Sequence, residues 1–291
     1  MKENIMSSIA RLAFRISRPR FWLYLGGTYL IGYAIGVTTG NQFLTPFFVF
    51  HLFFFMFPAN IFLYGVNDYY DEDTDVFNPK KDDKEYRVTT KDRRNLISLI
   101  LIAFVYGLVL MVFQPDNIAR LLFGIFLILS FLYSAKPIRF KARPFLDFMS
   151  NFLYVIPAIL AFYQLRLFIP PLLPLFAAFM WTSAMHLFSA VPDIEADKRA
   201  NVTTTAVLIN VIPSLLLCFA FWLIFAIILV FIVPWNPPWS VLMFVYPAIP
   251  LYLLLRRSAN IERIYWLFPY WNAIFGLILF FTITIPKIVI I

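Results

Sequence analysis

Apolar runs of about twenty residues recur along the whole chain, and no other feature restricts its fold as tightly. A helix of that length rises about 30 Å, the thickness of a bilayer's hydrocarbon core. Nine runs can be drawn, at 20–39, 43–66, 94–113, 117–134, 147–168, 171–190, 206–233, 238–255 and 264–290. Turn chemistry marks the joints: Gly40-Asn41, Gln114-Pro115-Asp116, Pro170-Pro171 and Trp235-Asn236-Pro237-Pro238. Backbone polar groups in lipid must be satisfied within the segment, so runs of this length predict an all-α polytopic membrane protein with nine transmembrane helices. Only 14% of the residues are charged, against about 25% in a soluble protein. The run at 206–233 is long and that at 264–290 ends beside Pro286, so tilt or a shorter span is expected in both.

The charges orient the bundle. Of 24 Lys and Arg, all but Arg120, Arg166 and Lys287 fall in the N-terminal segment or in the loops after even-numbered runs. By the positive-inside rule, the N-terminus is expected in the cytoplasm and the C-terminus outside the cell membrane. Of the acids, only Asp116 falls on the outer side, a bias that topology alone does not demand. The cytoplasmic face is therefore expected to carry the chemistry. Within residues 1–19, Ile5, Ile9, Leu12 and Ile16 keep helical spacing with Arg11, Arg15 and Arg18 between them. This predicts an interfacial amphipathic helix ahead of a single helical domain, 20–291. The lone Cys218 and the two distant histidines, His51 and His186, exclude an intrachain disulfide and a Cys- or His-rich metal site. No nucleic-acid partner is expected.

Two acidic motifs lie on the cytoplasmic side. In NDYYDEDTD (67–75), Asp68, Asp71 and Asp75 share one face if the second helix continues through them. In DIEAD (193–197), Asp193 and Asp197 stand at i and i+4. Stacked carboxylates repel, and oxygen-only ligands are what Mg2+ prefers. Lys80, Lys81, Lys136, Arg139, Lys141, Arg143, Lys198 and Arg199 flank the motifs, so metal and bases together suit a diphosphate. DEDTD is not an EF-hand loop, because its sixth position is Val76 and its twelfth Asp82. Glu72, Asp73, Asp82 and Asp83 read as solvated neighbours. Acids after runs two and six, with bases after four and eight, also give a weak four-span rhythm of the kind duplicated halves produce.

These residues resemble the UbiA superfamily of intramembrane prenyltransferases. NDYYDEDTD is similar to its first Asp-rich motif, DIEAD to its second, and YSAKPIRFK (133–141) to its loop after the fourth span. The resemblance implies nine helices around a central cavity capped by cytoplasmic loops, and Mg2+-dependent prenyl transfer from an allylic diphosphate to a lipophilic acceptor drawn from the bilayer. It implies Asp68, Asp71, Asp75, Asp193 and Asp197 as metal ligands, with Asp71 and Asp197 essential to catalysis. It implies Asn67, Arg139 and Lys141 as diphosphate contacts. Where members acting on aromatic acids carry an Arg-Pro element, this chain has Asn78-Pro79-Lys80-Lys81. SRPRFWLY (17–24) and KARPFLDFMSNFLYVIPA (141–158) resemble the lycopene elongase branch, which adds a C5 unit from dimethylallyl diphosphate to lycopene. An aromatic acceptor and a cation transporter are the alternatives.

Aromatic faces can stabilise the carbocation that the resemblance implies, and Tyr64, Tyr69 and Tyr133 are candidates for that role by position only. Asn60, Asn151, Gln164, His186 and Asn272 are polar at depth and are expected to face the bundle or its cavity. His186 lies two turns before Asp193, where helix–helix hydrogen bonding competes with a place beside the site. Asp147 reads as a helix N-cap.

Overall fold

The computed structural model describes residues 2–72, 74–77, 85–233, 237–256 and 260–289. Among these every regular element is helical. Seven stretches are long and apolar enough to cross a membrane: Pro46–Tyr70, Arg93–Val112, Leu146–Arg166, Leu172–Arg199, Val211–Ile232, Pro238–Leu255 and Ile261–Lys287. The protein is a multi-pass membrane protein.

The other two predicted spans differ from the rest. Asn117–Leu132 is an apolar helix of 16 residues. The first run is segmented into a 3-10 turn, Pro19–Phe21, a π-helical turn, Leu23–Gly27, and an α-helix, Thr28–Gly36. Within the second run, Phe57 and Pro58 interrupt the helix, since proline has no N–H for the ladder. The long seventh run divides at Asn210, whose φ of 66° ends Thr205–Ile209 and begins Val211–Ile232. Pro286 does not end the last helix, which continues to Val289.

The N-terminal helix, Lys2–Ile16, turns Leu12, Ala13 and Ile16 into the core and leaves Arg11 and Arg15 exposed. It packs on Pro58–Tyr70 and Arg93–Val112, so its apolar face is held by protein.

The buried side chains form two clusters. One runs from Leu12 to Tyr163 and is rich in stacked rings, with Tyr29, Phe54, Phe55, Phe123 and Phe126 fully buried. The other runs from Ala184 to Phe268 around Trp222. Tyr24 and Tyr265 pack against both clusters. Each Asp-rich motif comes from one side of this seam.

Candidate active site

The helix carrying the first motif stops at Tyr70, so Asp68, Asp71 and Asp75 do not extend along one continuous face. Asp71 occupies the C-cap and donates its N–H to the Asn67 carbonyl at 3.0 Å. Its own carbonyl accepts from Thr74 at 2.9 Å and Asp75 at 2.7 Å, which curls the chain into the 3-10 turn Asp75–Phe77. A helix end next to water frees its last carbonyls, and the turn satisfies them.

This curl separates the acids. Asp71 and Asp75 line a cavity of about 280 Å³, together with Asn67. Asp68 lies behind it, 2% exposed, and accepts from Arg18 Nη2 at 2.7 Å. Arg18 also pairs with Glu85 at 3.0 Å and lies over the Tyr64 ring, 4.6 Å from its centroid. Burial alone would lower the Arg18 pKa, but Glu85 and Asp68 together hold it above its ordinary value. Spacing gave no sign of Arg18 as a site residue; its place just before Pro19 was the available signal.

The loop after Asn117–Leu132 folds back compactly. Lys141 N–H donates to the Tyr133 carbonyl at 3.1 Å and Arg139 N–H to that of Ala135 at 2.8 Å. Arg139 has φ 44°, a left-handed conformation that disfavours residues with a Cβ. It directs Nη2 to Asp71 Oδ1 at 2.8 Å, and Lys141 Nζ contacts Asp71 Oδ2. With its amide oriented to suit its neighbours, Asn67 accepts from Lys141 Nζ at 2.9 Å and donates to Asp71 Oδ2 at 3.2 Å. Burial pushes the Lys141 ammonium down to about 7, against the opposing charges of Asp68 and Asp197.

The second motif begins in a 3-10 turn, Val191–Asp193, and continues as the helix Ile194–Arg199. Asp193 and Asp197 line the same cavity, and Thr204 Oγ1 donates to Asp197 Oδ2 at 3.4 Å. Glu195 points outward to Lys198. Of the other flanking bases, Arg143 braces its own loop through the Ile138 and Pro137 carbonyls. Lys136 belongs to a separate surface hollow, and Lys198 and Arg199 are exposed. Glu72 meets Arg93 at the surface. Asp73, Asn78, Pro79, Lys80, Lys81, Asp82 and Asp83 lie outside the described residues.

Among the described residues, no three acidic, His or Cys side chains are gathered into a ready-made metal shell. Arg139 and Lys141 engage Asp71, and the second motif's acids come from a different element. The four motif carboxylates that line the cavity, Asp71, Asp75, Asp193 and Asp197, offer oxygen donors, the kind that suits Mg2+ rather than a softer metal.

Deeper in, the cavity wall is aromatic, with Tyr24, Tyr64, Tyr133, Tyr154, Trp181 and Tyr265. Tyr69 is not part of it; its ring lies under Arg93 at 5.0 Å. Asn151 and His186 line the cavity, whereas the remaining polar residues at depth join helices. Gln164 binds Gln114 and Tyr29, Asn272 links Tyr24 to Tyr246, and Asn60 caps the break at Pro58. Asp147 is no local N-cap. Fully buried, it accepts from Thr205 N–H at 2.6 Å and Thr205 Oγ1 at 2.5 Å, tying the short helix Leu146–Met149 to the start of Thr205–Ile209.

The structure thus sets an acid- and base-lined cavity with an aromatic wall into an apolar, membrane-spanning helical bundle. The sequence matches the UbiA prenyltransferase family over residues 25–284. It is 36% identical over 267 residues to the lycopene elongase/hydratase of Haloarcula japonica, covering 91% of this chain and 88% of that protein. It is 37% identical over 271 residues to the enzyme of the same name from Halobacterium salinarum, covering 92% and 95%. The fold is similar to that of a UbiA homolog from Archaeoglobus fulgidus bound to DMAPP and Mg2+, with a TM-score of 0.70 at 22% identity, over 93% of this chain and 98% of that one. The chain belongs to the UbiA family and is a prenyltransferase.

Proposed function

We propose that the protein transfers the prenyl group of an allylic diphosphate, dimethylallyl diphosphate, to lycopene or a related carotenoid. The observation that carries this reading is the cavity in which both Asp-rich motifs meet Arg139 and Lys141 above an aromatic wall. Asp71, Asp75, Asp193 and Asp197 would hold Mg2+, with Asp68 as the charged support that keeps Arg18 in place. Mg2+, when bound, would help neutralise the departing diphosphate. Arg139 and Lys141 supply positive charge to the same leaving group, and Asn67 orients Lys141. The nascent carbocation would lie against Tyr64 and Tyr133, screened from water by the packed rings. The relatives' names and the apolar span interiors support a carotenoid acceptor entering from lipid, and the basic loops support a site on the cytoplasmic side of the cell membrane.

Expression in a lycopene-producing host tests the reading. C45 or C50 carotenoids by mass spectrometry are expected, and Asp71→Asn or Asp197→Asn should abolish them while the protein still inserts and folds. Unchanged lycopene, with prenylation of a quinone precursor instead, would assign an aromatic acceptor. Mg2+ flux through purified protein without prenyl transfer would assign a transporter.

A further inference from the structure

Prenyl attack on an alkene leaves a carbocation on the acceptor, and a proton must be lost before a neutral product forms. The acids at the cavity mouth are poor choices for that proton, since Asp71 is held by Arg139 and Lys141. Two turns deeper, His186 lines the cavity beside Tyr133 and Asn151. Its Nδ1 is 3.4 Å from the Tyr133 hydroxyl, and the two rings meet edge to face at 86°. Its Nε2 is buried, has no hydrogen-bond partner among the described residues, and stands 4.0 Å from Asp147 Oδ2. Asp147 is fixed by Thr205 N–H, Thr205 Oγ1 and Phe148 N–H, so it cannot swing away. The titratable groups facing His186 are Asp147, Tyr133 and, farther off, Lys141.

We propose that Tyr133, His186 and Asp147 form the proton-accepting relay that ends the reaction, an inference that rests on the prenyl-transfer reading above. The Asp147 carboxylate, 4.0 Å from Nε2, favours the tautomer that carries its proton there, which leaves Nδ1 to accept from the Tyr133 hydroxyl. The allylic C–O bond breaks with its electron pair leaving on diphosphate, and the acceptor's π pair forms the new C–C bond. The resulting cation then ends in one of two ways. A neighbouring C–H bond gives its pair to a new C=C, or a water oxygen bonds the cationic carbon and sheds an O–H proton. In both, the proton passes to Tyr133 Oη as the tyrosine's own proton moves to His186 Nδ1. Asp147 stabilises the imidazolium, and the proton leaves through the cavity mouth. Tyr133 is the catalytic residue in this scheme; His186 and Asp147 act through it.

The test uses full-length protein in vesicles containing lycopene, supplied with dimethylallyl diphosphate and Mg2+. Tyr133→Phe and His186→Gln are compared with wild type for diphosphate affinity, melting temperature, carotenoid yield, alkene-to-alcohol ratio and pH–rate profile. General-base assistance contributes about 10²–10⁴-fold, so a fall in carotenoid turnover of about 10²-fold is expected. Affinity and melting temperature should stay near wild type, the alkene-to-alcohol ratio should change, and the limb of the pH profile set by the relay should vanish. Wild-type turnover and pH profile in both variants would overturn the relay and leave the departing diphosphate as the base. Lost diphosphate binding or melting temperature in both variants would also overturn it, by showing a purely structural role. A wild-type protein that leaves lycopene unchanged would overturn the acceptor reading, and with it a relay built for that acceptor.

Discussion

Arg18 and Asp68 form a sheltered ion pair at the site, with side chains 15% and 2% exposed. Removing one partner of a buried pair leaves a charge without compensation, which costs about 3–5 kcal/mol. Arg18→Met should therefore lower stability by about that much, and adding Asp68→Asn should recover a large part of it. Thermal melting in detergent micelles checks both variants; equal melting of the single and double variants would exclude the coupling. Spacing made the two motifs and the bases of residues 138–141 legible as candidates, although the helix end at Tyr70 breaks the shared face expected of Asp68, Asp71 and Asp75. It did not separate Asp68 from Asp71. Which carboxylate faces the cavity depends on where the helix stops, and Arg18 comes from a segment fifty residues away in the chain.

At the scale of the element, hydropathy located seven long apolar stretches among the nine expected but not their breaks, because a twenty-residue average passes over a single interrupted turn. Asn60 shows how one such break is sustained. Its amide donates to the Phe55 and Met56 carbonyls, both at 2.9 Å, at the joint where Pro58 offers no N–H. Asn60→Leu should destabilise by about 1–3 kcal/mol, the desolvation penalty of buried carbonyls left unpaired. Diphosphate affinity, measured by calorimetry, should not change, since Asn60 does not line the cavity. Gly32 and Gly36 show a different constraint, the small-xxx-small spacing that lets helices approach closely in lipid. A Cβ on Gly32 would lie 2.2 Å from the Ala158 carbonyl oxygen, in the backbone of the neighbouring Ile156–Arg166 helix. Backbone cannot yield as a side chain can, so Gly32→Val should cost at least the ~1–3 kcal/mol of ordinary overpacking. Gly276→Val, at a position with no atoms nearby, serves as the control and should melt like wild type.

Across the whole molecule, the buried side chains divide into two clusters, Leu12 to Tyr163 and Ala184 to Phe268, which share Tyr24 and Tyr265 at a seam. Packing across that seam was not legible, because it rests on pairs distant in the chain. Asn272 joins Tyr24 to Tyr246, and Lys287 donates to the carbonyls of Ala34, Ile35 and Val37 at the end of Thr28–Gly36. Charge placement was legible, and it makes a claim about orientation that labelling can decide. The sole cysteine, Cys218, is fully buried, so Cys218→Ala provides a silent background. Glu195, with its side chain 76% exposed, marks the face bearing both motifs, and exposed Asn117, next to Asp116, marks the other. By the positive-inside rule, Asn117→Cys should react with a membrane-impermeant maleimide in intact cells. Glu195→Cys should react only after the cells are opened. The reverse pattern would place the acid-lined cavity outside the cell, together with the twenty-one Lys and Arg expected in the cytoplasm.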